Sequence, residues 1–218
     1  MSQAQIGLST NNLTQRPLDH YGSCYRKLDP EEVAARTGLQ FNREGSSFGL
    51  VLMGSPCHAA YPDYSLSDES GEPVASAYES ILILRFLCEG RFVSATGTEL
   101  TYKELPWGIT YDTNFEHRVK RRLLREFAKD LALFAQLMET NKGLKAQPLE
   151  KCDCGYRFEF MGGLPVSIRF WAADEEFPAS VQVLFDESFQ FAFSAEDVAV
   201  VGDTIINRLI GMRAQALP

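Results

Sequence analysis

Residues 170–186 read FWAADEEFPASVQVLFD, and their pattern decides the fold. Apolar runs flank Asp174, Glu175 and Glu176, and from Phe177 onward Ala179, Val181, Val183 and Phe185 recur at every second position. A period of two marks a strand with one face in a core. The same period extends both ways: Phe158 and Phe160, then Val166, Ile168 and Phe170 come before, and Phe189, Phe191 and Phe193 come after. Four strands are predicted, joined by MGGLP, AADEE and DES. Connections that short join neighbours running in opposite directions, so the strands form an antiparallel meander.

The three acids then occupy a hairpin turn, where water solvates them and their mutual repulsion is about 1 kcal/mol per pair. A hard cation would need several oxygen ligands, and Asp186 in the next turn offers another carboxylate. Asp174 and Asp186 fall at opposite ends of one strand, however, about 30 Å apart at about 3.3 Å per residue. One ion cannot use both. Asp174, Glu175 and Glu176 are therefore read as a solvated turn first and as an interaction surface second.

The remaining patterns are mostly helical. Asp29 supplies an N-cap, Pro30 the first helical position and Glu31 and Glu32 an acidic first turn, with Gly38 as the stop. LQFN and SFGLVLM around REGS read as a hairpin, and HAAYP and YSLSD as further extended pieces. A helix is predicted over 73–88, with Ala77, Ile81, Leu84 and Cys88 on its apolar face and Gly90 after it. Val119, Leu123, Phe127, Leu131 and Phe134 predict one long helix over 114–139. Ser194 and Asp197 resemble a capping box, and Val198, Val201, Ile205 and Leu209 give a closing helix its apolar face. The fold expected is α+β: a largely antiparallel sheet with a C-terminal four-stranded meander, packed against the long central helix and the C-terminal helix.

At 218 residues, 45% of them hydrophobic, the chain can bury a core of useful size. A loose tail is expected over 1–18 and a single domain over 19–218. The net charge of −8 is concentrated late: residues 150–218 hold 5 basic against 11 acidic side chains. That balance disfavours nonspecific attraction to nucleic acid and to anionic membrane. MSQAQIGLSTNNLTQRP has neither a basic leader nor an apolar segment, and the run 81–88 is too short for a membrane span. A cytoplasmic protein is expected, with a protein partner rather than nucleic acid or membrane.

Five cysteines, at 24, 57, 88, 152 and 154, make an odd number without an export signal, which argues against a disulfide framework. Cys152 and Cys154, one residue apart, can share a soft metal such as zinc or iron, and Cys57 with His58 can complete a Cys₃His set. The same pair can instead do thiol redox work. On the predicted long helix Arg118, Arg122, Arg125 and Lys129 form a stripe, with His117 and Arg121 beside it, suited to an anion or nucleic acid. The bland reading is a solvated face, or one paired with the protein's own acidic third. There is no G-x-S-x-G elbow, P-loop or G-x-G-x-x-G, and His20, His58 and His117 are scattered, so no catalytic residue is assigned.

The run RFWAADEEFPASVQVLFD, with SAEDV after it and MGGLPV before it, resembles a family known as domain of unknown function 3786, found largely in anaerobic bacteria and archaea. The resemblance covers roughly residues 20–212. It implies an anaerobe's cytoplasm and, through members fused to iron–sulfur domains, metal or redox work, and it carries no established activity. This chain lacks a ferredoxin-type four-cysteine run. The functional expectation is a noncatalytic binding or accessory protein of anaerobic metabolism. The alternatives are a metal or thiol-redox protein using Cys152 and Cys154, and anion or nucleic-acid binding through residues 117–129.

Overall fold

The computed structural model describes residues 3–216, with side chains from 14 to 214. Among the described residues nine strands pair antiparallel and combine with helices in an α+β fold. The chain divides into two compact units. One is drawn from the residues up to Leu50 and from Pro56–Phe92, the other from Val51–Ser55 and from Val93 onward.

The first unit begins with α1 (Gln3–Tyr25) and α2 (Pro30–Thr37), followed by strands β1 (Gln40–Asn42), β2 (Ser47–Leu52), β3 (Ser55–Ala60) and β4 (Leu66–Asp68), then α3 (Ala77–Glu89). Its capping chemistry is as the residues predict. Asp29 Oδ1 accepts from the Glu31 and Glu32 amides, and Gly38 takes φ 70°, the left-handed conformation that ends a helix. The hairpin across REGS forms with Phe41 opposite Phe48.

Two expectations about this unit need correction. Residues 3–18, read from composition as part of a loose tail, are helical, while residues 1 and 2 of that tail lie outside the described residues. A polar helix gains most of its stability from what it packs on. Here α1 lies along α3, with Tyr25 buried and the Arg85 guanidinium 5.3 Å from the centre of the Tyr21 ring. The helix predicted over 73–88 starts later: Ser76 Oγ accepts from the Glu79 amide, whereas Pro73 lies in a bridge with Ser67. Its buried apolar residues are Leu82, Ile83, Leu84, Phe86 and Leu87, so of the expected face only Leu84 is fully covered.

The second unit holds β5 (Glu99–Thr101), α4 (Gly108–Phe115), α5 (Arg121–Phe127), α6 (Leu131–Thr140), β6 (Gln147–Pro148), β7 (Cys154–Met161), β8 (Leu164–Trp171), β9 (Ser180–Asp186), α7 (Phe189–Ala192) and α8 (Ala195–Ala216). The one long helix predicted over 114–139 is interrupted twice. A π-type turn occupies Glu116–Lys120, and after Phe127 the backbone leaves the helix at Asp130 (φ −146°), whose carboxylate accepts from the Leu133 amide and restarts it as α6. Val119, Leu123, Phe127 and Phe134 are nevertheless all buried, and α5 touches β9 while α6 touches β7. The apolar spacing located the face; a capping Asp inside it divided the helix.

The meander has three of its four predicted members, β7, β8 and β9. The place beside β9 belongs to β5, with Leu100 opposite Phe185 and Glu99 opposite Asp186. Phe189, Phe191 and Phe193, expected as the fourth strand, instead form the short helix α7 and its cap. Phe189 and Phe193 are buried four residues apart and Phe191 faces outward. Three aromatics at every second position also fit one tight helical turn with its middle residue out. Phe189 packs at 5.1 Å on Phe185 and 6.3 Å on Phe160, ring centre to ring centre. The closing helix follows the predicted capping box, Ser194 and Asp197 bonding reciprocally, and α8 lies against α4, α5 and α6.

Candidate functional site

The acidic turn that opens the sequence reading is a built structure. β8 ends at Trp171, where Asp153 holds the chain: its amide donates to the Phe170 carbonyl (3.0 Å) and its Oδ2 accepts from the Ala172 amide (2.7 Å). Asp174 Oδ1 then accepts from the Phe177 amide (2.6 Å) and the Glu176 amide (2.8 Å), and the Asp174 amide donates to the Phe177 carbonyl. Those two backbone donors hold the Asp174 carboxyl below the usual carboxylate range. Closing the turn on Asp174 leaves Phe177 projecting, 66% exposed, and Pro178 behind it cannot join a ladder.

Phe177, Trp171, Pro178 and Ser180 with Asp153 and Asp174 line an open groove of about 590 Å³. Glu175 and Glu176 stand exposed on the same turn. An aromatic platform beside carboxylates suits a cation carried on an apolar stem, since the rings attract positive charge and cover methylenes while the carboxylates neutralise it. Asp174, its carboxyl lowered, holds charge at neutral pH rather than shuttling protons.

At the other end of β9 the chemistry is closed. Asp186, 1% exposed, accepts from the amides of Thr96 (3.0 Å), Gly97 (2.9 Å) and Ser188 (3.0 Å), and from Arg157 (3.3 Å). Burial pushes its carboxyl up, but the hydrogen bonds from Ser188, Thr96 and Gly97 more than reverse this and leave it below the ordinary range. Glu99 pairs with Arg157 (3.3 Å) and Arg169 (2.7 Å) and accepts from Ser167 Oγ. For Glu99 too, burial raises the pKa and the bonds from Ser167 and Arg169, with both guanidinium charges, outweigh it. Arg157, Ser167, Arg169, Glu99 and Asp186 thus share the sheet face opposite the Phe-rich core, and the cluster ties β5, β7, β8 and β9 together. Apart from Asp186, sequence reasoning passed over it. Its signal was the polar alternate positions of β7 and β8, a pattern that by itself marks only the face turned away from the core.

Cys57 and His58 are neighbours on β3, and their side chains take opposite faces, Cys57 buried and His58 exposed. Cys154 faces the core side with Tyr156, its Sγ 3.6 Å from the Leu131 carbonyl oxygen. Cys152 lies over the other face: a Cβ added to Gly155 would sit 2.7 Å from its Sγ. Burial pushes both Cys152 and Cys154 up, so they stay protonated at neutral pH, the form that binds metal poorly. Among the described residues no group of three or more His, Cys, Asp or Glu side chains is placed to hold a metal ion.

The basic stripe is largely answered from within. Arg118 and Arg122 both pair with Asp203 of α8, Arg122 at 3.0 Å, and Arg122 also donates to Asn207. Arg125 pairs with Glu126 (3.1 Å), which also takes Arg213. Two exposed residues carry no sequence motif that marks them: Trp107, 81% exposed at φ 67°, and the nearby Ile109.

Among the described residues no helix is long and apolar enough to cross a membrane. Neither the curated proteins nor the solved structures contain a match to this chain. The family model described as Domain of unknown function (DUF3786) matches residues 29–208, which includes the meander, the acidic turn and most of both units. By that match over most of its length, the chain belongs to the DUF3786 family.

Proposed function

We propose that this protein is a noncatalytic binding protein whose groove at Trp171 and Phe177 takes up a partner segment presenting a cationic side chain next to an apolar one. The observation that carries this reading is Phe177 itself, two-thirds exposed on a turn closed by Asp174, beside Trp171 and amid carboxylates. Aromatic anchors that reach solvent from a rigid turn lose little conformational freedom on binding, which is why such residues dominate interfaces. The acidic late third of the chain steers a basic partner toward the groove. The partner proposed is a cytoplasmic protein, and the work proposed for the pair is an accessory step of anaerobic metabolism.

The test exploits the presence of only two tryptophans. In a Trp107→Phe background Trp171 alone reports, and its emission is followed against a library of nine-residue peptides, each with Lys or Arg adjacent to an aromatic or leucine. Saturable emission change is expected for a subset, weakened at least tenfold by Phe177→Ala and by added salt. Absence of any response, or a response indifferent to Phe177→Ala, overturns the reading.

A further inference from the structure

The two helices of the first unit bring a pair of cysteines together. α1 lies along α3, and Cys88 near the end of α3 points its thiol at α1, Sγ 3.5 Å from the Tyr21 carbonyl oxygen. In a helix that carbonyl is directed toward the residues one turn further on, which here are Cys24 and Tyr25. Cys24, half-buried, therefore stands one turn from the Cys88 sulfur. Charge on Cys24 acts on Cys88, and charge on Cys88 acts on Tyr25, as close neighbours require.

We infer that Cys24 and Cys88 form a reversible intramolecular disulfide when the protein meets a small organic disulfide. The Cys24 thiolate attacks one sulfur of the organic disulfide, whose S–S bond breaks to release one thiol and leave a mixed disulfide on Cys24. The Cys88 thiolate then attacks the Cys24 sulfur, and the second organic thiol departs. Two electrons pass from the cysteine pair to the organic disulfide, and the two protons lost by Cys24 and Cys88 end on the two released thiols.

The order follows from surroundings. Burial, together with the charges of Cys24 and Glu89, pushes the Cys88 thiol up to about 12 against the opposing Arg36 guanidinium, so Cys88 is a poor first nucleophile. It acts second, on a sulfur already beside it. The bridge ties the end of α1 to α3 and closes a loop containing α2 and strands β1 to β4. Cys57, the remaining cysteine of this unit, is buried in β3.

The experiment treats the full chain with oxidised glutathione, blocks remaining thiols, and maps disulfides by proteolysis and mass spectrometry without reductant. The expected product is a monomer in which the peptides of Cys24 and Cys88 are joined, reversed by dithiothreitol. Cys88→Ser should trap glutathione on Cys24, and Cys24→Ser should leave Cys88 unmodified. A wild-type chain that keeps glutathione on Cys24, joins either cysteine to another position or another chain, or leaves both as thiols overturns the inference.

Discussion

The two ends of β9 carry the same pair of residue types and put them to opposite uses. At one end Asp174 closes a turn and Phe177 projects into solvent; at the other Asp186 closes a turn and Phe189 is fully buried. Both carboxylates accept from backbone amides a few residues on, so local turn chemistry does not distinguish them. What differs is the neighbourhood. Asp186 lies opposite Glu99 of β5, with Arg157 reaching across the sheet and the Thr96 and Gly97 amides pointing at it. Asp174 lies beyond the last paired rung, Trp171 opposite Ser180. A flanking strand turns a carboxylate into a structural clamp, whereas Asp174, beyond the paired rungs, stays at the surface.

The largest expected effect breaks that comparison at its buried end. Asp186→Ala strands Arg157 beside Glu99 alone and leaves three backbone amides without their acceptor. Removing one partner of a buried charged cluster costs about 3–5 kcal/mol. Urea unfolding followed by circular dichroism should show that loss, while Asp174→Ala, at an exposed turn, should move the midpoint far less. If the two variants unfold alike, the clamp is misassigned. Phe189→Ala comes next, at about 3 kcal/mol, because truncating a buried Phe removes its transfer energy and leaves a cavity that the rings of Phe160, Phe185 and Phe193 only partly fill.

The pH dependence sharpens the same contrast. Asp186 and Glu99 both titrate below the ordinary carboxylate range in the folded chain. Between those lowered values and the ordinary value of about 4, the unfolded chain binds more protons than the folded one, so stability rises with pH. It is fully present above about pH 4 and is lost as pH falls through the folded values. Asp186→Asn should be less stable at neutral pH and should flatten this acid limb, measured as the unfolding midpoint from pH 6 downward. An unchanged slope would mean that the limb belongs to other carboxylates.

How much of this was legible follows from which forces were local. The cap at Asp29, the stop at Gly38 and the box at Ser194 and Asp197 depend on residues within a turn of one another, and all were readable. The strands β7, β8 and β9 were readable because one sheet face is aromatic and the period is two. Phe189 to Phe193 misled because a three-membered alternation also fits one helical turn, and only β5, about 90 residues earlier in the chain, takes the place beside β9. The break at Asp130 had a visible cap residue, overruled by apolar spacing that continues correctly through it. The acidic turn was located from sequence, while the groove needed Asp153 and Trp171 folded against it. The clamp at Asp186 was illegible for the same reason: Glu99, Arg157 and Arg169 meet only through strand register.

The smallest expected effects on stability fall on the exposed aromatics. Phe191→Lys should shift unfolding far less than Phe189→Ala, because Phe191 is 38% exposed on α7 while Phe189 is fully buried. A strand at 189–193 would instead put all three rings on one buried face, and the same change would then be severe. Phe177→Ala belongs to the same class for stability, since two-thirds of the ring is already in water. Its value lies in the dissociation. If Phe177→Ala unfolds with the wild type and yet abolishes the Trp171 response to cationic peptides, the ring is retained at that turn for contact and not for packing. A substantial stability loss would place Phe177 with Phe189 as part of the fold, and the two ends of β9 would no longer differ.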